Sequence, residues 1–155
     1  MANTTILPLD AGLTALTRAI VDTESVSGNE SLLADRVETT LRSASHLEVI
    51  RDGDTVIART HAGRAERVIL AGHLDTVPVA NNLPSSLEVV EGEERLIGRG
   101  ACDMKGGVAV FLALACALDN PRHDLTWIFY DHEEVDASLN SLTRLARERP
   151  EPVSY

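Results

Sequence analysis

Cysteine is scarce, basic residues are in deficit, and no apolar run is long. The two cysteines, Cys102 and Cys116, cannot build a disulfide framework and do not form a CxxC metal pair. Cys116 falls in an apolar helical stretch and reads as core. Lysine and arginine number 14 against 24 aspartates and glutamates, a net charge of −10. That deficit argues against a nucleic-acid partner, which needs basic patches, and against anionic membrane surfaces. No apolar run approaches the length that spans a bilayer, and residues 1–10 hold neither a basic residue nor a signal-peptide core, so a cytoplasmic protein is expected. What is present, 44% apolar and 25% charged residues over 155 positions, is the composition of one globular domain with a sizeable core.

Periodicity orders the chain. Leu13, Leu16 and Ile20 recur at helical spacing, which predicts an amphipathic helix over 10–23. Ser27-Gly28-Asn29-Glu30 has capping-box spacing, and Leu33, Val37 and Leu41 continue a second helix from it. Residues 47–51 and 55–60 alternate about Asp52-Gly53-Asp54, a hairpin signal. Residues 67–72 place four apolar residues in a row, the pattern of a strand buried on both faces. A peripheral hairpin is expected around a solvated tip at 91–94, then a deeply buried helix over 107–118 stopped by Asn120-Pro121. A second buried strand over 125–130 and a polar final helix over 138–149 complete the series. Strand 67–72, helix 107–118 and strand 125–130 make a strand–helix–strand unit, so ligand sites belong just beyond the strands' carboxyl ends. The fold class expected is α/β, a mixed, largely parallel sheet flanked by helices.

Three clusters fall where those apolar runs stop: His73-Leu74-Asp75, Asp103 in the loop entering the helix, and Glu133-Glu134. Imidazole plus several carboxylates is a ligand set for zinc or another borderline divalent metal, not for calcium, which prefers oxygen alone. In an extended segment His73 and Asp75 point to one side, so Asp75 could hold the second imidazole nitrogen. Asp103 could bridge two metals through its two oxygens. Of the adjacent Glu133 and Glu134, one could bind metal while the other moves a proton. Plainer readings fit the neighbours. Cys102 reads as a packing residue, Lys105 as a helix-start lysine in a local ion pair, and Gly106-Gly107 as room for close helix packing, without Walker spacing. His46, His61 and His123 lie near turns and are expected to be exposed, while His132 beside the Glu pair is a tempting ligand that the residues alone leave open.

Residues 73–78 (His-Leu-Asp-Thr-Val-Pro), 100–107 (Gly-Ala-Cys-Asp-Met-Lys-Gly-Gly) and Glu133-Glu134 resemble, in order, the metal-site motifs of the M20 metallopeptidase family. The resemblance runs from about Leu13 to Arg149. Between the motifs, residues 47–54 and 78–84 are most similar to the actinobacterial succinyl-diaminopimelate desuccinylase branch. The resemblance implies a di-zinc site, with cobalt as a possible substitute. His73 is then a ligand of one zinc, Glu134 of the other, Asp103 the bridge, Glu133 the general base and Asp75 the residue that orients His73. It also implies hydrolysis of a small N-acyl amino acid substrate in lysine biosynthesis, no nucleic-acid or membrane partner, and a homodimer formed through a lid domain. Acetylornithine deacetylase and carboxypeptidase or dipeptidase activities stay open within the family. The family's further acidic ligand, late histidine ligand and lid domain are not in the 155 residues. The expectation is therefore a single, truncated catalytic domain over 1–155 that binds metal weakly and is inactive alone, with a non-catalytic binding module as the alternative of another class.

Overall fold

The structure, a computed structural model, describes residues 5–150. A 3-10 turn at Leu9–Ala11 leads through Gly12 into α1 (Leu13–Val21). This helix is shorter than the predicted 10–23, because Gly12 takes φ 87°, which no helix continues through. α2 (Ser31–Arg42) begins after Ser27-Gly28-Asn29-Glu30 rather than from it, and no side chain caps it. The capping box does not form: Glu30 Oε1 accepts from the Gly28 N–H at 2.9 Å, and the Ser27 hydroxyl is engaged elsewhere.

β1 (Glu48–Asp52) and β2 (Thr55–Arg59) form the expected hairpin about Gly53-Asp54. β3 (Arg67–His73) follows, then β4 (Ser86–Val90) and β5 (Glu93–Ile97) as a separate two-stranded ribbon. Its turn places Glu91 and Gly92 at φ 55° and 85°, the positive-φ pair that matches a hairpin's twist, and its acidic tip is solvated as expected. α3 (Gly106–Ala117), β6 (Asp124–Tyr130) and α4 (Ser141–Glu148) complete the described chain, with the Asn140 side chain capping α4 through the Thr143 N–H.

The main sheet has the order β1-β2-β6-β3, antiparallel at the first two pairs and parallel at β6–β3. It is therefore a mixed sheet with helices on both faces. Trp127 and Phe129 of β6, with Val56 and Ala58 of β2, pack under α1, α2 and α3; Ile128 and Ile57 face the other way, onto Leu145 of α4. β6 is the buried strand expected over 125–130, and it lies inside the sheet between β2 and β3. β3 is not buried on both faces. Among the described residues it pairs only with β6, and Val68 remains 41% exposed. An apolar run records a tendency to leave water, not the number of neighbours available, and here cover reaches Gly72 and His73 but not Val68 or Ala71. α3 likewise buries one face, Val108, Ala109, Leu112 and Ala115, while Val110, Leu114 and Leu118 stay more than one-third exposed. Among the described residues, no helix is long and apolar enough to cross a membrane.

Candidate metal centre

The parallel pairing of β3 and β6 creates the site. His73 and Tyr130, the last residues of the two strands, are register partners, so the chain leaves both strands on one rim. Residues 74–76 run on from the first strand, and residues 131–134 from the second. Asp103 enters from a wide turn at Ala101–Lys105 whose backbone is extended at Asp103, φ −121° and ψ 103°, just before α3 begins. Gly100 makes that approach possible. It sits at φ +76°, and a Cβ there would lie 2.6 Å from the Thr76 side chain.

The three clusters meet. His73 Nε2 lies 3.1 Å from Asp103 Oδ1. One donor atom each from His73, Asp103 and Glu134 lies within 4.8 Å of the others, and these residues are buried, exposed and half-buried in turn. The set fits a borderline divalent ion by its chemistry, one imidazole nitrogen with carboxylate oxygens. Donors held at 2.0–2.2 Å on one tetrahedral ion stand about 3.3–3.6 Å apart, close to the His73–Asp103 separation. Crowding also favours a cation: burial, then the Asp103 charge, raises the Glu134 pKa above its usual range.

Asp75 stands behind the cluster, fully buried. Its Oδ2 accepts from the Ser27 hydroxyl at 2.6 Å and the Glu134 N–H at 2.9 Å, and its Oδ1 accepts from the Glu133 N–H at 3.0 Å. His73 Nδ1 is 3.4 Å from Oδ1 and nearer, 3.0 Å, to the Asp75 backbone carbonyl. The carboxylate thus ties both strand ends together as well as facing His73. Burial alone would favour its protonated form, but the bonds from His73, Ser27, Glu134 and Glu133 hold it well below the usual carboxylate range. For His73, burial opposes the charged ring, yet Asp75 and Asp103 outweigh it and raise the pKa to about 9.

A cleft of about 320 Å³ opens beside the cluster, lined in part by Thr76, Val77, Arg99, Cys102, Asp103 and Glu134. Cys102 is exposed there rather than packed. Among the described residues Lys105 forms no ion pair: its ammonium is buried and donates to the carbonyls of Thr23, at 2.8 Å, and Val21, at 3.5 Å. Gly106 and Gly107 do permit close packing, against the Ala101 carbonyl and Met104. His132 stays outside the cluster, its Nδ1 2.8 Å from Asp131. His46 is half-buried on the Ala115 carbonyl, not exposed. Ser27 is the site neighbour that the sequence reading missed. Its capping-box spacing was a real signal of a hydroxyl needing an acceptor, but the acceptor lies 48 residues away.

The sequence model for peptidase family M20/M25/M40 matches residues 69–155, and the chain belongs to that family. A Mycobacterium tuberculosis protein provisionally named succinyl-diaminopimelate desuccinylase DapE is 54% identical over 140 residues, 90% of this chain and 38% of its own length. The Corynebacterium glutamicum succinyl-diaminopimelate desuccinylase is 45% identical over 88% of this chain and 37% of its own length. The chain therefore spans less than two-fifths of these relatives. Among solved structures, the Bacillus subtilis YXEP protein, a dinuclear metal-binding peptidase of the M20 family, shares the fold at a TM-score of 0.62 and 14% identity, covering 88% of this chain and 39% of that one.

Proposed function

We propose that residues 1–155 form one metal-hydrolase domain of an N-acyl amidohydrolase that converts N-succinyl-diaminopimelate to succinate and diaminopimelate. The observation that carries this reading is the convergence of the His73, Asp103 and Glu134 donors in front of buried Asp75. The names of the two bacterial relatives support the substrate, and the dinuclear Bacillus subtilis protein supports a pair of ions, most simply two zincs with cobalt as substitute. His73 would hold one ion and Glu134 the other, with Asp103 shared.

Zinc bound there supplies a Lewis acid that polarises the amide carbonyl and lowers the pKa of water. The chain's own residues divide the remaining work. Asp75 fixes the peptide that presents Glu133 and Glu134 and faces the His73 ring, leaving Nε2 toward Asp103. Glu133, exposed and adjacent to Glu134, would take a proton from the attacking water and return it to the leaving amine. Sharing Asp103 leaves each of two ions two protein donors among the described residues, fewer than the usual three, so weak binding by this chain is expected.

The test is a cobalt titration read by visible absorption, followed by succinate release from N-succinyl-diaminopimelate by the zinc-loaded protein. His73→Ala and Glu134→Ala should each weaken binding at least about tenfold, and cobalt uptake unchanged in both would sink the metal assignment. Preferential hydrolysis of N-acetylornithine or a dipeptide would move the protein to another branch of the family. Weak metal uptake without turnover is the result expected of the 155-residue chain alone, and stoichiometric zinc with turnover would overturn that expectation.

A further inference from the structure

The turn between α1 and α2 has no part in the proposed reaction, yet it is stitched to the strand that carries the site. Ser25 Oγ donates to the Leu74 carbonyl at 2.6 Å, the Thr76 N–H donates to the Ser25 carbonyl at 2.9 Å, and the Ser27 N–H donates to the Thr76 carbonyl at 3.1 Å. These bonds make a parallel bridge between Val26 and Thr76 and hold residues 25–27 alongside residues 74–76. Against that backbone frame the Ser27 hydroxyl does something different. It reaches Asp75 Oδ2 at 2.6 Å, the shortest of the three hydrogen bonds donated to this carboxylate by Ser27, Glu133 and Glu134.

The carboxylate has a single soft torsion, and everything it holds depends on that torsion. Oδ1 faces His73 Nδ1 and accepts from Glu133; Oδ2 accepts from Glu134 and Ser27. Ser27 is the one hydroxyl donor among them, and a hydrogen bond from O–H to an ionised oxygen is short and roughly twice as strong as a neutral one. We propose that Ser27 is a positioning residue of the metal site, its hydroxyl fixing the Asp75 carboxylate that holds the His73 ring and the Glu133–Glu134 backbone together. The same turn reaches toward the other strand end as well, since buried Glu30 Oε1 lies 3.7 Å from His132 Nδ1, directly before the Glu pair.

The inference rests on the metal-site reading for one of its two measurements and is independent of it for the other. In the metal-free 155-residue chain, Ser27→Ala keeps every backbone bond of the bridge, so a purely structural role predicts unchanged amide exchange at Glu133 and Glu134. The positioning role predicts exchange about tenfold faster at those two amides, with the amides of β2 and β6 unaffected. In the cobalt titration, Ser27→Ala should weaken binding by about 10- to 100-fold, as loss of a ligand-supporting partner does, while Ser27→Thr, which keeps the hydroxyl, restores it. Exchange equal to wild type at both amides overturns the proposal, and so does a cobalt affinity equal to wild type, or a loss that Thr does not rescue. Failure of the wild-type chain to take up cobalt defeats the metal-site reading instead, and the exchange comparison then decides Ser27 alone.

Discussion

Two buried aspartates, Asp75 and Asp124, show how single carboxylates organise this protein. Asp75 gathers the site, as described above. Asp124, at the start of β6, gathers the loop between β2 and β3: it accepts from the N–H groups of Ala62, at 2.7 Å, and Arg64, at 2.8 Å, and from the Thr60 hydroxyl at 3.0 Å. Burial by itself would raise its pKa, but those bonds, helped by the Arg67 charge, lower it to about 2. A carboxylate depressed below its unfolded value of roughly 3.9 contributes stability that is complete above that pH and is lost as pH falls toward the folded value. Asp124→Asn is therefore expected to cost about 1–3 kcal/mol at neutral pH, with the difference from wild type shrinking between pH ~4 and ~2. Urea denaturation of both proteins across that range measures it, and a difference independent of pH would contradict the assignment.

At the scale of elements, the informative contact lies between the turn entering α3 and the end of α1. The last carbonyls of a helix lack internal partners, and here a lysine from 84 residues further along the chain supplies one, Lys105 Nζ to the Val21 carbonyl at 3.5 Å. It also donates at 2.8 Å to the Thr23 carbonyl just past the helix. A cation at a helix C-terminus is also favoured by the helix dipole. Lys105→Met keeps most of the buried stem but leaves those oxygens unpaired, and a loss of about 1–3 kcal/mol in urea denaturation is expected; a neutral result would mean that water replaces the ammonium. Legibility in the sequence differs sharply between elements for the same reason. The hairpins were readable because turn chemistry and alternation are local, and β6 because its apolar residues form one contiguous run. The start of α2 was misplaced by its Ser-x-x-Glu spacing, since the Ser27 hydroxyl found a buried carboxylate rather than its own helix. Lys105 looked like a surface ion pair because nothing near it in sequence announces that it will be buried against α1.

For the whole molecule, the balance is between apolar edges and net charge. Among the described residues β3 has no partner on its outer side, and it carries Val68 at 41% exposure; an unpaired strand edge is a template for association. The charge of −10 opposes self-association at low salt. Raising ionic strength from about 0.01 M to 0.15 M shortens the screening length from ~30 Å to ~8 Å, so weight-average mass in sedimentation is expected to rise with salt. Val68→Lys should blunt that rise; a mass that is independent of salt, or insensitive to this substitution, would remove the edge as the cause. The sequence alone carried the resemblance to the family, the strand–helix–strand unit and the proposal of His73, Asp75, Asp103, Glu133 and Glu134 as site residues, because each motif is a short contiguous run at the end of an apolar segment. Only the tertiary structure decided how they are held: the parallel register that brings His73 and Tyr130 to one rim, the burial of Asp75 under Ser27, and the Lys105 cap on α1. Those contacts join residues tens of positions apart, and their energies come from desolvation and hydrogen-bond geometry that no local pattern encodes.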